Sequence, residues 1–347
     1  MKKNSQFLVM SMAVAATFCQ LSFAQQAASN LTIGLANCCK EGDVFQDNCV
    51  ANVQKMAKEA GVKIIFDSAI ESETDDRTLQ FNQVKKMIDG GAKAIVISLA
   101  KGGSSFHKEI LSYARGKNVP VVAYTRAPSK ILQKDFDNLY FVGSIPDQAG
   151  ILQAEMIAEL WKAHPEWDKN KDGKIQYAII KGPNSNPNAE SRTKWVTKTL
   201  KNYPEMNITS ERIALENADW DRERAKHIVE RWHNGGLLDQ IEFLVCNNDN
   251  MALGAIDYLK EHDLKMPVVG VDGLQAALVE IEAGNMQGSI FQNGAKQSGT
   301  AFLIAKNLAE GKKADDGLQE FTFIENGHQV MIPFEKITKK NVGQYKK

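Results

Sequence analysis

The chain has 347 residues, 43% of them hydrophobic and 24% charged, which is too long for one small core and sufficient for two lobes. Lys plus Arg and Asp plus Glu both number 42, so the composition excludes the basic excess that nucleic-acid binding requires. Residues 1–24 predict a secretory signal peptide, because Lys2 and Lys3 precede an apolar run and a small-x-small cleavage site ends at Ala24. Without that segment 40 basic residues face 42 acidic ones, a net charge of −2, and we expect an exported, soluble product.

Strand-like and helix-like stretches alternate from residue 31 onward, which predicts βαβ units with helices on both faces of parallel sheets. In the first half the predicted strands are 31–36, 62–67, 94–99, 119–124 and 140–143, and the helices are 44–60, 75–89, 104–115 and 146–163. The pattern restarts with strands at 175–181, 208–215, 241–246, 267–271 and 288–291, and a last long helix at 295–310. The stretch 320–334 is extended, and its Gly327 and Pro333 favour a crossover between lobes over another βαβ unit. We therefore expect two α/β lobes.

Residues 168–176 read Asp-Lys-Asn-Lys-Asp-Gly-Lys-Ile-Gln, with oxygen-bearing side chains at alternate positions. The spacing is typical of an EF-hand calcium loop, in which the seventh position binds through its backbone carbonyl, here that of Lys174. The twelfth position, which should be a bidentate Glu, is Ile179. Because Ca²⁺ takes about 6 to 8 oxygens, two interpretations stay open from the spacing: an ordinary Asx-rich turn, or a metal loop completed by a distant carboxylate.

Polar and aromatic residues follow the predicted strands, at the edge where open parallel sheets bind ligands. In the first half they are Asp43, Phe45, Thr125 and Arg126, and in the second half Asn186, Asn188, Arg192, Trp220, Asn247, Asn248, Asp249, Asp272 and Gln292. Taken singly, each is more simply explained as a turn former or helix cap. As a set they offer carboxylates, amides, an arginine and two aromatic rings without a nucleophile. That combination suits a neutral polyhydroxylated ligand, whose ring lies on aromatic faces and whose hydroxyls bond charged planar groups.

Six stretches carry a more specific resemblance: 118–122, 167–176, 189–192, 247–249, 270–272 and 305–309. Through them the chain resembles the type I periplasmic sugar-binding protein family, in particular bacterial D-galactose/D-glucose-binding members, along nearly its whole mature length. The resemblance implies two Rossmann-like lobes with parallel sheets, joined by three crossover strands and closing on a sugar. It divides the chain into a signal peptide, 1–24, an N-terminal lobe, 25–144 plus 293–327, and a C-terminal lobe, 145–292 plus 328–347. Hinge motion is expected near Ser144, Gln292 and Gly327.

The resemblance also implies site residues. A Glu from a later strand completes the calcium loop in this family, so the expected structural calcium ligands are Asp168, Asn170, Asp172, Lys174, Gln176 and Glu242. Among the sugar ligands, Asp43 and Phe45 match the family's Asp-x-aromatic pair with one extra residue upstream, and Arg192, Trp220, Asn248 and Asp272 match directly. In the family the two aromatic rings enclose the pyranose. Four positions depart from the family: Thr125, Asn186, Asn188 and Gln292 stand where it has Asn, His, Asp and Asn. The end of the site that faces the anomeric hydroxyl has therefore lost charge, and a hexose, a methyl glycoside and a cyclitol all remain open.

The function that the resemblance implies is a periplasmic solute-binding protein, expected as a monomer, that delivers a monosaccharide to the permease of an ABC importer. The alternative is a periplasmic receptor that presents its ligand-bound form to a membrane chemoreceptor or sensor. A repressor's effector domain shares the fold, but the signal peptide and the missing N-terminal helix-turn-helix argue against it. No enzyme is expected, because the sequence contains no dinucleotide fingerprint, phosphate loop, nucleophile elbow or His-Glu-x-x-His motif.

The mature chain keeps four cysteines, and export would place them in an oxidising compartment. Cys38 and Cys39 end the first strand, and Cys49 lies in the first helix. We expect one of the pair, with Cys39 preferred, to bond Cys49 and clip the loop that carries Asp43 and Phe45. The alternative is a set of packed, unpaired thiols.

Overall fold

A computed structural model of the chain describes residues 31–38, 42–68, 76–100, 104–184, 186–202 and 208–346. The predicted signal peptide, with its cleavage site after Ala24, lies outside the described residues, and so does Cys39. Within the described ranges, no helix combines the length and the apolar character needed to cross a membrane.

The first lobe begins with five strands that alternate with helices. The elements are β1 (Thr32–Asn37), α1 (Val44–Glu59), β2 (Lys63–Ser68), α2 (Asp76–Asp89), β3 (Ile95–Ile97), α3 (Ser104–Gly116), β4 (Val121–Tyr124), α4 (Lys130–Asp135) and β5 (Leu139–Gly143). These strands pair in parallel in the order β5-β4-β3-β1-β2. The short helix α4 was not expected from the sequence. It is capped by the side chain of Ser129, which accepts a hydrogen bond from the backbone of Leu132.

The second lobe repeats the alternation. Its elements are α5 (Pro146–Ala163), β6 (Lys174–Lys181), α6 (Pro187–Asn202), β7 (Thr209–Asn217), α7 (Arg222–Asn234), β8 (Phe243–Cys246), α8 (Asp249–Glu261), β9 (Val268–Asp272), α9 (Gln275–Ala283) and β10 (Gly288–Phe291). The parallel strands run in the order β10-β9-β8-β6-β7. The predicted fold class, two α/β lobes built on parallel sheets, is confirmed.

The chain then returns to the first lobe and crosses once more. The last elements are α10 (Gly294–Ala309), β11 (Phe323–Ile324), β12 (Gln329–Met331) and β13 (Glu335–Thr338). Strand β12 pairs in parallel with β5, and β13 pairs antiparallel with β10 of the second sheet. The third crossing therefore lies at 332–334, beyond the expected boundary at 327. Gly327, with φ 85°, instead belongs to the tight turn between the antiparallel strands β11 and β12.

Each sheet is buried on both faces, as parallel sheets usually are. In β3, Ile95 and Ile97 pack into one apolar cluster and Val96 into another on the opposite face. In β6, Tyr177 and Ile179 alternate in the same way with Ala178 and Ile180. Full burial of such a large side chain contributes about 1.5 to 3 kcal/mol each. The ends of β3 and β6 therefore lie on layers that are packed on both faces.

One close helix contact positions a candidate site residue. Gly150 of α5 lies against α6, where a Cβ would come within 2.6 Å of the carbonyl oxygen of Arg192. Only glycine permits this approach without displacing backbone. The packing therefore holds α6 close to α5 at the turn that carries Arg192.

Candidate functional site

Arg192 is buried in the second lobe, at the carboxyl edge of its sheet. Its guanidinium donates hydrogen bonds to the carbonyl oxygen of Asn247 at 2.7 Å and to Oε1 of Gln292 at 2.5 Å. It also lies 3.5 Å from the carboxylate of Asp272, and 5.9 Å above the ring of Trp220. Burial lowers the pKa of Arg192, against the opposing charge of Asp272, but a guanidinium remains protonated in proteins. Five predicted residues that follow five different strands are thereby brought into one cluster.

Asp272, the last residue of β9, connects this cluster to the first lobe. Its side chain is buried, and burial raises its pKa well above the usual value. The charge of Arg192 opposes that rise, whereas the charges of Asp249 and Asp43 add to it. Asp43 belongs to the first lobe, and Phe45, two residues later, packs against a buried cluster of the second lobe, so predicted residues of the two lobes lie near one another.

The first-lobe residues lie at the start of α1 and after β4. Asp43 caps α1 by accepting a hydrogen bond from the backbone of Gln46 at 3.2 Å. The ring of Phe45 packs against buried clusters of both lobes. Thr125 has φ 61°, and its hydroxyl accepts a bond from Nε2 of Gln46 at 3.3 Å. Phe45 is thus the aromatic contact between the lobes, and Gln46 ties Asp43 to Thr125.

Trp220 and Asn248 also lie at strand ends of the second lobe. The Trp220 ring covers Gly182, where a Cβ would approach the ring to 2.3 Å. Its backbone has φ 66°, and its carbonyl oxygen accepts a bond from Asn250 at 2.9 Å. Asn248 caps α8, since its side-chain oxygen accepts from the backbone of Met251 at 2.9 Å. With that oxygen engaged, Asn248 offers a ligand chiefly its amide N–H₂ group.

The two remaining positions, Asn186 and Asn188, begin α6. The side-chain oxygen of Asn186 accepts from the backbone of Asn188 at 3.0 Å and of Ala189 at 3.2 Å. Asn186 therefore acts as a helix cap in this structure. Asn188 stands four residues before Arg192, which places both on the same face of α6. Both asparagines are half-buried, and they border the cluster instead of forming its floor.

Several buried polar atoms near these residues were not expected from the sequence. Within the part of the chain that the structure describes, Oδ1 of Asn37, Oε1 of Gln46 and Nε of Arg192 have no hydrogen-bond partner. Asn37 ends β1, and Gln46 follows Phe45, so the strand-end position was the signal that could have identified both. Buried polar atoms are nearly always paired. These three therefore indicate a site that a polar ligand completes.

The loop 168–176 lies apart from this cluster and is held together by its own oxygens. Glu242, 2% exposed, spans the loop, because Oε1 accepts from the backbone of Lys169 at 2.7 Å and Oε2 from that of Gln176 at 3.1 Å. Asp168 accepts from the backbones of Asp172 and Gly173. The distant carboxylate that the loop lacked is therefore in contact with both of its ends.

The donor set of this loop fits a hard cation, since it consists of carboxylate, amide and carbonyl oxygens. The buried Oε1 of Gln176 has no partner among the described residues, while its Nε2 donates to Asp172 at 2.9 Å. Across the described ranges, however, no three His, Cys, Asp or Glu side chains are arranged to hold a metal. Any cation here would depend on Asn170, Gln176 and the Lys174 carbonyl as well as on the carboxylates.

The expected disulfide to Cys49 is not formed. Cys38, Cys49 and Cys246 are all buried free thiols. The Sγ of Cys49 lies against Gly294 and its thiol bonds Ser298, both in α10. Burial raises the pKa of the Cys49 and Cys246 thiols, which keeps them protonated and unreactive.

Comparison with known proteins places these features in a family. Residues 33–313 match the family model described as a periplasmic binding protein domain. The D-galactose/methyl-galactoside binding periplasmic protein of Haemophilus influenzae is 31% identical over 348 residues, covering 100% of both chains. A solved ABC transporter solute binding protein from Bacillus halodurans, with bound myo-inositol, has a TM-score of 0.73 at 25% identity, covering 92% of this chain and 98% of that one. One from Actinobacillus succinogenes, with bound D-allose, has a TM-score of 0.74 at 20% identity over 91% of this chain and 100% of that one, and supports the fold alone.

Proposed function

This chain belongs to the periplasmic binding protein family, and from that premise we propose that it captures a galactose- or glucose-like monosaccharide between its lobes. The sugar is then delivered to the permease of an ABC importer. The observation that carries the proposal is a set of buried polar atoms without a partner among the described residues: Oδ1 of Asn37 at the end of β1, Oε1 of Gln46 in α1 and Nε of Arg192 in α6. Leaving such atoms unpaired costs free energy, and the hydroxyls of a sugar can both donate to the two oxygens and accept from the nitrogen.

The roles of the surrounding residues follow from their chemistry. Asp43 and Asp272 supply carboxylates that accept hydroxyl protons, and Arg192 supplies a donor already oriented by Asn247 and Gln292. Phe45 and Trp220 supply the two apolar faces, because both pack against the same buried cluster of the second lobe. A ring enclosed between them would contact both lobes at once, so binding would favour the closed arrangement.

We expect weak selectivity among sugars at the end of the site that carries amides instead of charged side chains. The oxygen of Asn186 is engaged as a helix cap, and Oε1 of Gln292 accepts from Arg192. What these residues offer a ligand is therefore mainly amide N–H donors. An amide bonds a hydroxyl less strongly than a carboxylate does. The end of the site near Asn186 and Asn188 should therefore discriminate weakly between substituents, including a methyl glycoside.

A thermal-shift screen tests the proposal directly. Purified mature protein is heated with D-galactose, methyl-galactoside, D-glucose, D-allose, ribose, xylitol and myo-inositol. A ligand that binds only the native state raises the melting temperature by mass action, so at least one hexose or its methyl glycoside should do so. No shift with any sugar or cyclitol would contradict sugar binding. Loss of uptake of the bound sugar on deleting the gene supports delivery to an importer, whereas loss of chemotaxis with intact uptake would favour the receptor alternative.

We also propose that the loop 168–176 and Glu242 bind a structural calcium ion. Asp168, Asn170, Asp172, Gln176 and Glu242 would hold it through side-chain oxygens and Lys174 through its carbonyl. The ion would supply positive charge to a loop that carries the carboxylates of Asp168 and Asp172 and whose backbone contacts that of Glu242. Support comes from Glu242, which is buried and in contact with both ends of the loop, and from the unpaired oxygen of Gln176. For this oxygen to bind a cation, the Gln176 amide would have to turn away from its present bond to Asp172.

A further inference from the structure

Asp249, the first residue of α8, is fully buried beside the proposed sugar site, at 0% exposure. Both of its carboxylate oxygens are engaged inside the protein. Oδ1 accepts the hydroxyl of Ser289 at 2.7 Å, and Oδ2 accepts the backbone N–H of Leu274 at 2.8 Å. The Ser289 hydroxyl in turn accepts the backbone N–H of Gly273 at 3.1 Å. Asp249 thus holds two successive amides, directly and through Ser289.

These amides immediately follow Asp272, whose backbone is strained. Asp272 has φ 124°, a region that favours glycine, and Gly273 follows with φ 73°. Such a conformation persists in another residue only where its surroundings enforce it. The bonds from Asp249 and Ser289 to the next two amides provide that constraint. With its backbone so held, Asp272 directs its carboxylate to Arg192, 3.5 Å away.

Strand β9 leaves room for the carboxylate of Asp249. Gly270, two residues before Asp272, faces Oδ1 of Asp249, and a Cβ there would approach that oxygen to 2.2 Å. A side chain at 270 would collide with Asp249, so the two positions are matched. An Asn at 249 would place an amide group where two acceptor oxygens now serve, and at least one of the bonds to Ser289 and Leu274 would be lost or weakened.

We propose that Asp249 is a positioning residue of the sugar site, which acts by fixing the backbone of Asp272 and so sets affinity at the hydroxyl that Asp272 accepts. It does not touch the sugar, because it is fully buried and both of its oxygens are occupied. The proposal rests on the proposed function, since Asp272 is taken to be a sugar ligand. If the proposal holds, removing the Asp249 carboxylate weakens sugar binding only in a protein that still has the Asp272 carboxylate.

A double-mutant cycle measures this dependence. Calorimetric titration is carried out with D-galactose, D-glucose, D-allose and myo-inositol on wild type, Asp249→Asn, Asp272→Asn and the double variant. Loss of a hydrogen bond to a charged group costs about tenfold or more in affinity, so Asp249→Asn should weaken the best probe by at least that factor. In the Asp272→Asn background the same substitution should have little further effect. If the two losses multiply, Asp249 acts independently of Asp272 and the proposal is overturned.

Two further variants keep the test decisive. Ser289→Ala removes only the bridging hydroxyl and should give a smaller loss that also disappears with Asp272→Asn. It replaces Asp249→Asn in the cycle if that variant does not fold. Asp257→Asn is the matched control, because Asp257 lies on the same helix but its carboxylate pairs with Arg222 of α7 at 2.6 Å and makes no bond to the turn after Asp272. It should lower stability without changing the ratio of affinities among the four probes.

Hydrogen exchange of backbone amides tests the positioning role of Asp249 independently of sugar binding. If wild type binds none of the probes, the proposed function fails, but the amides of Gly273 and Leu274 can still be followed without ligand. They should exchange faster in Asp249→Asn than in wild type or Asp257→Asn. Unchanged exchange at both amides overturns the positioning role, whatever the sugar results.

Discussion

The guanidinium of Arg192 and the carboxylate of Asp272 face each other at 3.5 Å, with only 5% and 7% of their side chains exposed. A buried ion pair gains little stability over apolar residues of the same shape, because both charges are removed from water. This one also leaves Nε of Arg192 unpaired. A costly pair with an unused donor is better explained by ligand binding than by folding. The first prediction follows from the cost of this pair to stability and from its role in binding.

Removing one member of the pair should damage stability as well as binding. Arg192→Met leaves Asp272 and Gln292 without their partner, and breaking a buried pair from one side costs about 3 to 5 kcal/mol of unfolding free energy. The double variant Arg192→Met/Asp272→Leu should recover most of that loss while remaining unable to bind sugar. Urea denaturation and calorimetric titration give the two quantities. A single variant as stable as the double one would refute this view of the pair.

The buried carboxylate of Asp249 predicts a pH dependence of the ligand-free protein. Burial outweighs its hydrogen bonds and raises its pKa to about 7, from an ordinary value of about 3.9. Because the folded state holds the proton more tightly, the contribution to stability is complete below about pH 4 and is lost as the pH rises towards about 7. Wild type should therefore lose unfolding free energy relative to Asp249→Asn over that window. A difference between the two that stays constant from pH 4 to 8 would contradict this assignment.

The aromatic faces should carry much of the affinity. Trp220→Ala should weaken sugar binding at least about a hundredfold, because truncating a buried aromatic costs about 3 kcal/mol or more. Phe45→Ala should act likewise from the first lobe. Trp195→Ala serves as the control, since Trp195 is half-exposed on α6 beside Lys194 and Lys198. Calorimetric titration with the best sugar from the screen measures all three, and equal affinities for Trp220→Ala and Trp195→Ala would exclude Trp220 from the site.

The proposed calcium site predicts a stability effect without a binding effect. Chelation should lower the melting temperature of wild type, and Glu242→Gln should lower it without further response to chelator. Sugar affinity should change little, because the loop lies apart from the strand-end cluster. Glu261→Gln is the control, since Glu261 is exposed and pairs with Lys226 at 2.7 Å. If Glu242→Gln melts like wild type and neither responds to chelator, the loop is an ordinary turn.

The sequence predicted most of the strands and helices, because apolar runs and glycine stops act over a few neighbouring residues. Continuous apolar runs marked β3 and β6, and Gly-Gly ended α2. The failures involve partners distant in sequence. Gly327 fits a crossover or a hairpin turn equally well, and the antiparallel pairing of β11 with β12 decides for the hairpin, while the pairing of β12 with β5 keeps it in the first sheet.

The same reasoning applies to the site. Cys49 lies in a helix near Cys39 in sequence, yet its direction is set by α10, which returns about 250 residues later. Strand-end position was sufficient to predict that Arg192, Trp220 and Asp272 lie close together. It did not show that Asn186 would cap its own helix or that Gln46 would lie buried beside Thr125. Those roles depend on side-chain geometry that spacing does not specify.

Small-angle scattering of the mature protein, with and without its tightest sugar, tests the two-lobe clamp most directly. Because Asp43 and Phe45 belong to one lobe and Arg192, Trp220 and Asp272 to the other, neither lobe can enclose a ring alone. Saturating sugar should reduce the radius of gyration of wild type, and Trp220→Ala should need at least about a hundredfold more sugar to reach the same compaction. A sugar-bound form that scatters like the free protein would contradict the clamp.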